Sequence, residues 1–220
     1  MEDPDQDLLW ERFRKRNLPH WEKAGATYFV TFRLDGSLPA QVAEQWRCEY
    51  RNLRQQERRG ELKGPSTLRE RRLLHKKFDD QLDRAQFGPK HLEQASVAQI
   101  VVGSLLHFAG SRYELPAFVV MPNHVHLLIQ PLPRDEDRQP WGLNEMMHSI
   151  KSFSANAANQ MLKRSGAFWQ REYYDHLVRD ERERAFYWSY VVNNPVAAGL
   201  VEEPDRWAWS SVTALPEVSF

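Results

Sequence analysis

Two strand-like runs nearly touch in the middle of this chain. Tyr113 to Met121 reads YELPAFVVM, His124 to Gln130 reads HVHLLIQ, and only Pro122-Asn123 separates them. Runs dense in Val, Phe, Leu and Ile favour strands, and a two-residue gap leaves room only for a tight reversal, so the pair predicts a β-hairpin. The rest of the fold must form around it. ATYFVTFRL at 26–34 reads as another strand, closed by the turn signal Asp35-Gly36, and Phe168 to Arg179 as a further one. Residues 92–109 carry Leu92, Val97, Ile100, Val101, Leu105 and Phe108 near helical spacing. Residues 143–162 repeat the pattern with Leu143, Met146, Met147, Ile150, Phe153, Ala157 and Met161, and Gly166 is expected to end that helix. A last helix is predicted over 181–193, stopped by Pro195 and Gly199. Strands paired by a hairpin and flanked by helices describe an α+β domain with helices packed on one face of an antiparallel sheet. Ferredoxin-like topology is one such solution.

Residues 39–85 differ from this pattern. Apolar positions are sparse and charges dense, and Gly60, Gly64 and Pro65 divide the segment into two solvated helices, the second capped by Ser66 or Thr67. From Arg47 to Lys77 there are 11 Lys or Arg against four Asp or Glu, an excess of seven positive charges. The whole chain of 220 residues balances 30 basic against 30 acidic residues, so the remainder is acidic by the same amount. Zero net charge excludes a uniform polycation, but a local field of that size favours an anionic partner. The single cysteine, Cys48, rules out an internal disulfide and a cysteine-rich zinc site. No apolar run reaches the roughly 20 residues of a membrane span. The acidic start at residues 1–7 lacks a signal-peptide core. A soluble, cytoplasmic protein is expected, with 1–24 an irregular lead-in anchored by Trp10 and Trp21.

His124-Val125-His126 is the sharpest chemical feature. On a strand, residues two apart face the same way, so both imidazoles project together and Val125 enters the opposite layer. Two neutral imidazoles on one rigid face can hold a divalent metal if oxygen ligands complete the shell. The alternative is two unrelated histidines, one packed and one solvated. On the predicted last helix, Tyr187, Tyr190 and Asn194 share one face. A tyrosine there can act as nucleophile and the Asn194 amide oxygen can join a metal, or both tyrosines simply pack on the sheet. Asn194 precedes Pro195, which disfavours helical geometry and puts the Tyr190–Asn194 spacing under strain. Lys151, Asn156, Asn159, Gln160, Lys163 and Arg164 form a basic, amide-rich face suited either to a phosphate backbone or to solvent.

Taken together, AFVVMPNHVHLLIQP, GLNEMMHSIKSFSANAAN, FWQREYYDHLVRD and SYVVNNPVAAGLV, in that order, closely resemble the REP-associated tyrosine transposases of the single-tyrosine HUH superfamily. ATYFVTFRL and RWAWSSV match the usual start and end of that domain, so the resemblance covers about residues 18–212. It implies a ferredoxin-like catalytic domain at 25–212, a charged helical insertion at about 39–90, and a tail at 213–220. It also implies a metal-dependent enzyme that cuts and rejoins single-stranded DNA beside palindromic hairpins through a 5′-phosphotyrosine. The metal, Mg²⁺ or Mn²⁺, would be held by His124, His126 and Asn194, with Tyr190 as nucleophile and Tyr187 its competitor. Tyr173 and Tyr174 take structural or DNA-contacting roles. DNA-gripping positions fall on Lys151, Lys163, Arg164, Arg171, Arg58 and Arg59. A monomer is expected, bound to the nucleoid when on DNA.

Three other readings remain at this stage, one of them a metal-binding protein with no nucleic-acid role, against which the basic excess of 47–77 counts weakly. A replication initiator or relaxase of the same superfamily carries the same chemistry, but NNPVAAGL speaks for the transposase branch. A non-cutting hairpin-binding protein would have no use for His124, His126, Tyr190 and Asn194 together.

Overall fold

The computed structural model describes residues 12–14, 20–22, 25–62, 65–134 and 140–214. Trp10 and the side chains of Trp21 and Ser66 lie outside the described residues. Within the lead-in, β1 (Arg12–Arg14) and β2 (His20–Glu22) pair as a short antiparallel ribbon.

The main sheet contains β3 (Tyr28–Arg33), β4 (Tyr113–Val120), β5 (His124–Pro131) and β6 (Tyr174–Leu177), all antiparallel, in the order β4-β5-β3-β6. The hairpin forms where its two-residue gap requires, and the Met121 amide donates to the His124 carbonyl at 2.8 Å. The earliest strand of this sheet in the chain then lies between the hairpin and the last, which is the ferredoxin-like arrangement. Helix α3 (Ala95–Leu106) connects β3 to β4, and α4 (Leu143–Met161) connects β5 to β6. Both pack on the face that carries Val30, Phe32, Val125, Leu127 and Ile129. Each such side chain, once buried, contributes about 1.5–3 kcal/mol.

The other face is covered as well, so helices lie on both sides of the sheet rather than one. Phe29, Ala117, Val119, Met121 and Leu128 alternate onto it and need a cover. Helix α5 (Glu181–Ala197) supplies Tyr187 and Val191. The insertion supplies the rest as an antiparallel pair, α1 (Ala40–Arg58) and α2 (Pro65–Asp83). Arg71 grips Glu57 with two bonds of 2.6 and 2.5 Å, Lys77 reaches Glu49 at 2.7 Å, and Trp46 stacks on Phe78 at 4.6 Å.

Several boundaries depart from the sequence reading. Helix α5 does not stop at Pro195; it runs to Ala197 and ends in a Schellman turn at Gly199, with Gly199 donating to Val196 and Leu200 to Pro195. Proline has no N–H for the Val191 carbonyl four residues back, so the helix loses one interior bond, and little of it follows Pro195. Helix α2 begins at Pro65, a residue suited to a first helical position, so Ser66 and Thr67 fall inside the helix rather than capping it. Lys163, with φ of 51°, turns the chain after α4 before Gly166 is reached. The strand expected over 168–179 shrinks to 174–177, preceded by an isolated bridge between Leu34 and Trp169. The C-terminal tryptophans close the edge of β4: Trp207 Nε1 donates to the Val120 carbonyl at 3.0 Å, and the Val120 amide donates to Trp209 at 2.8 Å. Among the described residues no helix is long and apolar enough to cross a membrane.

Candidate active site

His126 sits opposite Thr31 in the β3–β5 register and His124 opposite Arg33. Both imidazoles are fully buried on the face shared with α5 and α2, while Val125 enters the opposite core, as the strand alternation requires. Their Nε2 atoms lie 2.9 Å apart.

The hydrogen-bond network assigns the protons on these rings. The Asn123 amide donates through Nδ2 to the Leu82 carbonyl at 3.0 Å, which leaves its Oδ1 to accept from His124 Nδ1 at 2.7 Å. His124 is therefore protonated on Nδ1 and keeps a lone pair on Nε2. With Asp79 ionised, a relay does the same for His126. His75 Nδ1 donates to Asp79 Oδ2 at 3.2 Å, Thr31 donates to His75 Nε2 at 3.1 Å, and His126 Nδ1 donates to Thr31 at 2.7 Å. The two Nε2 lone pairs then face each other at 2.9 Å, a repulsive arrangement that a cation between them would relieve. Burial holds the His75 and His124 imidazoles down at about 3, and His126 well below its ordinary value, so all three are neutral at pH 7.

The oxygens of the site come from α5 and α2. The Tyr190 hydroxyl donates to Asp79 Oδ2, and its ring lies 5.6 Å from that of His126. Asn194, one helical turn on, is buried on the same side of α5. Helix α2 presents His75, Asp79 and Asp83, spaced i, i+4, i+8 along one face. Asp83 Oδ1 approaches His124 Nε2 at 3.5 Å and Asp79 Oδ2 approaches His126 Nε2 at 3.6 Å. Asp79 Oδ1, Asp83 Oδ1 and Asn194 Oδ1 are buried without a hydrogen-bond partner among the described residues. Burial raises the Asp79 carboxyl well above its usual range. Burial, reinforced by Asp80, lifts Asp83 to about 7. Burial and the neighbouring Asp79 carboxylate push the Tyr190 phenol far up. The ligand atoms of Asp83, His124 and His126 lie within 4.8 Å of one another, as do those of His75, Asp79 and His126, and such neutral imidazole nitrogens and carboxylate oxygens fit a divalent cation.

The structure brings together His124, His126, Tyr190 and Asn194. Tyr187 stands apart, stacked on Phe29 at 4.4 Å. Tyr173 and Tyr174 are buried, Tyr173 donating to Asn144 at 2.8 Å and Tyr174 packing on His75 at 4.4 Å. The DNA-gripping candidates are scattered. Lys151 spends its ammonium on the Gln170 and Arg171 carbonyls at 2.8 and 2.9 Å, and with Arg171 lines a cleft of about 440 Å³ along α4. Arg164 bonds the Ala167 carbonyl at 3.0 Å, and Lys163 is exposed beside it. Arg58 and Arg59 are exposed at the far end of the inserted hairpin, about 27 Å of helix from Asp83. Much of the basic excess of 47–77 is bound to Glu44, Glu49, Glu57, Glu61 and Glu183.

Sequence reasoning missed His75, Asp79, Asp83, Thr31 and Asn123. The i, i+4, i+8 spacing of His75, Asp79 and Asp83 within an otherwise solvated helix was the available signal. A second cleft, of about 1190 Å³, opens between α2 and α5 and leads to Tyr190, Asn194 and Asp83. Arg69, Arg72, Lys76 and Arg179 line it, and Arg72 lies over the exposed Phe186 ring at 4.3 Å.

Comparison with known proteins agrees with this geometry. Residues 105–194 match the family model described as transposase IS200 like, a stretch that contains His124, His126, Tyr190 and Asn194 but not the inserted hairpin. A Haemophilus influenzae protein named for the REP-associated tyrosine transposases is 32% identical over 107 residues, covering 45% of this chain and 58% of that protein. The REP-associated tyrosine transposase of Escherichia coli is 28% identical over 99 residues, covering 45% of this chain and 54% of its own. The chain thus spans a little over half the length of these curated relatives. A solved REP-associated tyrosine transposase bound to a REP hairpin superposes with a TM-score of 0.53 at 16% identity, covering 95% of this chain and 87% of that one, which shows the shared fold. Over residues 105–194 the chain is thus similar to the IS200-like transposases, and its curated relatives include REP-associated tyrosine transposases.

Proposed function

We propose that this protein is a metal-dependent DNA strand transferase that cuts single-stranded DNA beside palindromic-repeat hairpins and acts as a monomer. The observation that carries this reading is the gathering of His124 and His126 behind Tyr190 and Asn194, which line the inner end of the cleft between α2 and α5. His124, His126 and Asn194 would hold a divalent cation, Mg²⁺ or Mn²⁺, which would supply a Lewis acid for the scissile phosphate. The Tyr190 oxygen attacks phosphorus, its proton passing to the Asp79 carboxylate to which it already donates. The bond from phosphorus to the 3′ oxygen breaks, that oxygen takes a proton from solvent, and the 5′ phosphate stays on Tyr190. The ester bond is thereby kept, so a second 3′-OH reverses the step and joins a new strand.

The cleft suits a single strand, with Arg69, Arg72, Lys76 and Arg179 along the phosphates and Phe186 as a stacking platform. Lys163, Arg164 and Arg171 flank the α4 cleft as contacts for the hairpin stem, and Arg58 and Arg59 extend the basic surface. Lys151, tied to two carbonyls, supports that surface rather than leading it. A non-cutting hairpin binder is the second reading. It is disfavoured because a binding module has no use for buried, orphaned ligand atoms beside a tyrosine.

The test incubates the full chain with 5′- or 3′-labelled hairpin DNA and Mn²⁺ and separates products on a denaturing gel. A covalent adduct on the 5′-phosphate fragment is expected. Binding with neither adduct nor cut strand would leave the hairpin-binding reading.

A further inference from the structure

We propose that Asp83, on the inserted helix α2, is the carboxylate ligand of the cation held by His124, His126 and Asn194, so that the site is complete only when the inserted hairpin is docked on the sheet. This rests on the metal-dependent reading above and adds to it a residue outside the matched stretch 105–194.

The choice of Asp83 follows from which lone pairs are already in use. Both nitrogens of His75 are engaged, by Thr31 and by Asp79. Asp79 Oδ2 accepts from His75 Nδ1 and from the Tyr190 hydroxyl. These two residues therefore orient the nucleophile and the His126 relay. Asp83 is different. The oxygen that Asp79 turns toward His126, Oδ2, is the one already in use, whereas the oxygen that Asp83 turns toward His124, Oδ1, is buried without a hydrogen-bond partner among the described residues, 3.5 Å from an Nε2 that carries a lone pair because Asn123 fixes the proton on Nδ1. Asp83, His124 and His126 present ligand atoms all within 4.8 Å of one another. The Asn194 side chain hydrogen-bonds the same carboxyl, and its Oδ1 is buried without a partner among the described residues. Two imidazoles, one carboxylate and one amide oxygen leave room for substrate oxygens on a six-coordinate ion.

The chain ties this ligand to the hairpin that bears the histidines. The Asn123 side chain that orients His124 also bonds the Leu82 carbonyl, the residue before Asp83. Gly88, just beyond α2, then lies against Gly36 at the end of β3, so close that a Cβ on Gly88 would fall 2.1 Å from the Gly36 carbonyl oxygen. Asp83 is thus held between two contacts that fix the end of α2 on the sheet.

The test is Mn²⁺ binding by the DNA-free full chain, followed by calorimetry and by loss of the free-ion electron paramagnetic resonance signal. Asp83→Asn should weaken affinity at least about 10-fold. Asp80→Asn, exposed on the same helix, should stay within about two- to threefold of the parent. Asp83→Glu, which keeps a carboxylate, should recover part of the loss and guards against a folding defect in the Asn variant. If His124→Ala and His126→Ala abolish binding while Asp83→Asn binds as the parent does, Asp83 is not a ligand and the metal reading survives. If the parent protein and both His variants show the same negligible binding, the metal reading itself fails, and this proposal with it.

Discussion

The Tyr190 hydroxyl donates to Asp79 Oδ2, joining α5 to the inserted helix α2 inside the site. A contact of this kind couples the proposed nucleophile to a segment that lies outside the matched residues 105–194. It also separates the two tyrosines of α5. Tyr190 faces His126, whereas Tyr187 lies flat on Phe29.

Tyr190→Phe is expected to abolish the covalent adduct, by at least about 1000-fold since the nucleophile itself is gone. Hairpin binding, read by gel shift, should be retained. Tyr187→Phe keeps the stack on Phe29 and should retain the adduct, with a stability loss below about 1 kcal/mol. An adduct on Tyr190→Phe that disappears in Tyr187→Phe would reverse the assignment.

Asn123 makes two demands on one short amide, accepting from His124 and donating to Leu82. Asn123→Ala should therefore weaken Mn²⁺ binding about 10- to 100-fold through a misoriented His124. It should also cost about 1–3 kcal/mol of stability from the buried groups left unpaired. Asn123→Asp keeps the acceptor for His124 but loses the donor to Leu82, so it should recover metal affinity better than stability. Equal recovery of both would show that Asn123 does not orient the histidine.

The central hairpin was legible because apolar density and a two-residue gap are local properties, and the face shared by His124 and His126 followed from strand alternation alone. Tyr190 and Asn194 were legible once helical spacing was assumed, although Pro195 argued against that spacing. The structure carries the helix through it at the loss of one backbone bond, to the Val191 carbonyl, with only two helical residues beyond the proline. The acidic half of the site was hidden for a different reason. His75, Asp79 and Asp83 sit among Arg71, Arg72, Lys76 and Lys77, so charge density marked the segment as solvated. The burial of Asp79 arises from docking α2 on the sheet, a long-range event with no local signature. The basic excess misled in the same way, since much of it is matched within the insertion or by Glu183.

Gly88 has φ of +71°, and its missing side chain allows the approach to Gly36. Gly88→Ala meets both penalties, and the obstructing atom is backbone, which cannot swing aside. A loss of about 1–3 kcal/mol is expected in denaturant unfolding. Because this contact holds the end of α2, Mn²⁺ affinity should fall in the same variant. Gly25→Ala has positive φ but open space around it, so it should cost less and leave metal affinity alone.

Removing the metal should reverse the stability order of the parent protein and Asp83→Asn. The folded Asp83 carboxyl is raised to about 7 from 3.8. A raised acid contributes stability below its unfolded pKa and loses it as pH climbs through the folded one, at about 1.4 kcal/mol per unit before any discount for partial solvation. In chelator at pH 8 the parent therefore carries an ionised, uncompensated carboxylate, and Asp83→Asn does not. The variant should melt higher by at least about 2 °C, the gap opening between about pH 4 and 7 and staying constant above. Burial holds the His75 and His124 imidazoles down at about 3, so they are neutral in the folded parent at pH 5 and 8, and their acid destabilisation is common to both proteins. With excess Mn²⁺ the parent gains the larger binding term and the order inverts. A carboxylate with a purely structural role predicts the opposite in chelator, namely a variant that is never more stable than the parent. Thermal melts of the two proteins at pH 5 and 8, with chelator and with Mn²⁺, distinguish the cases.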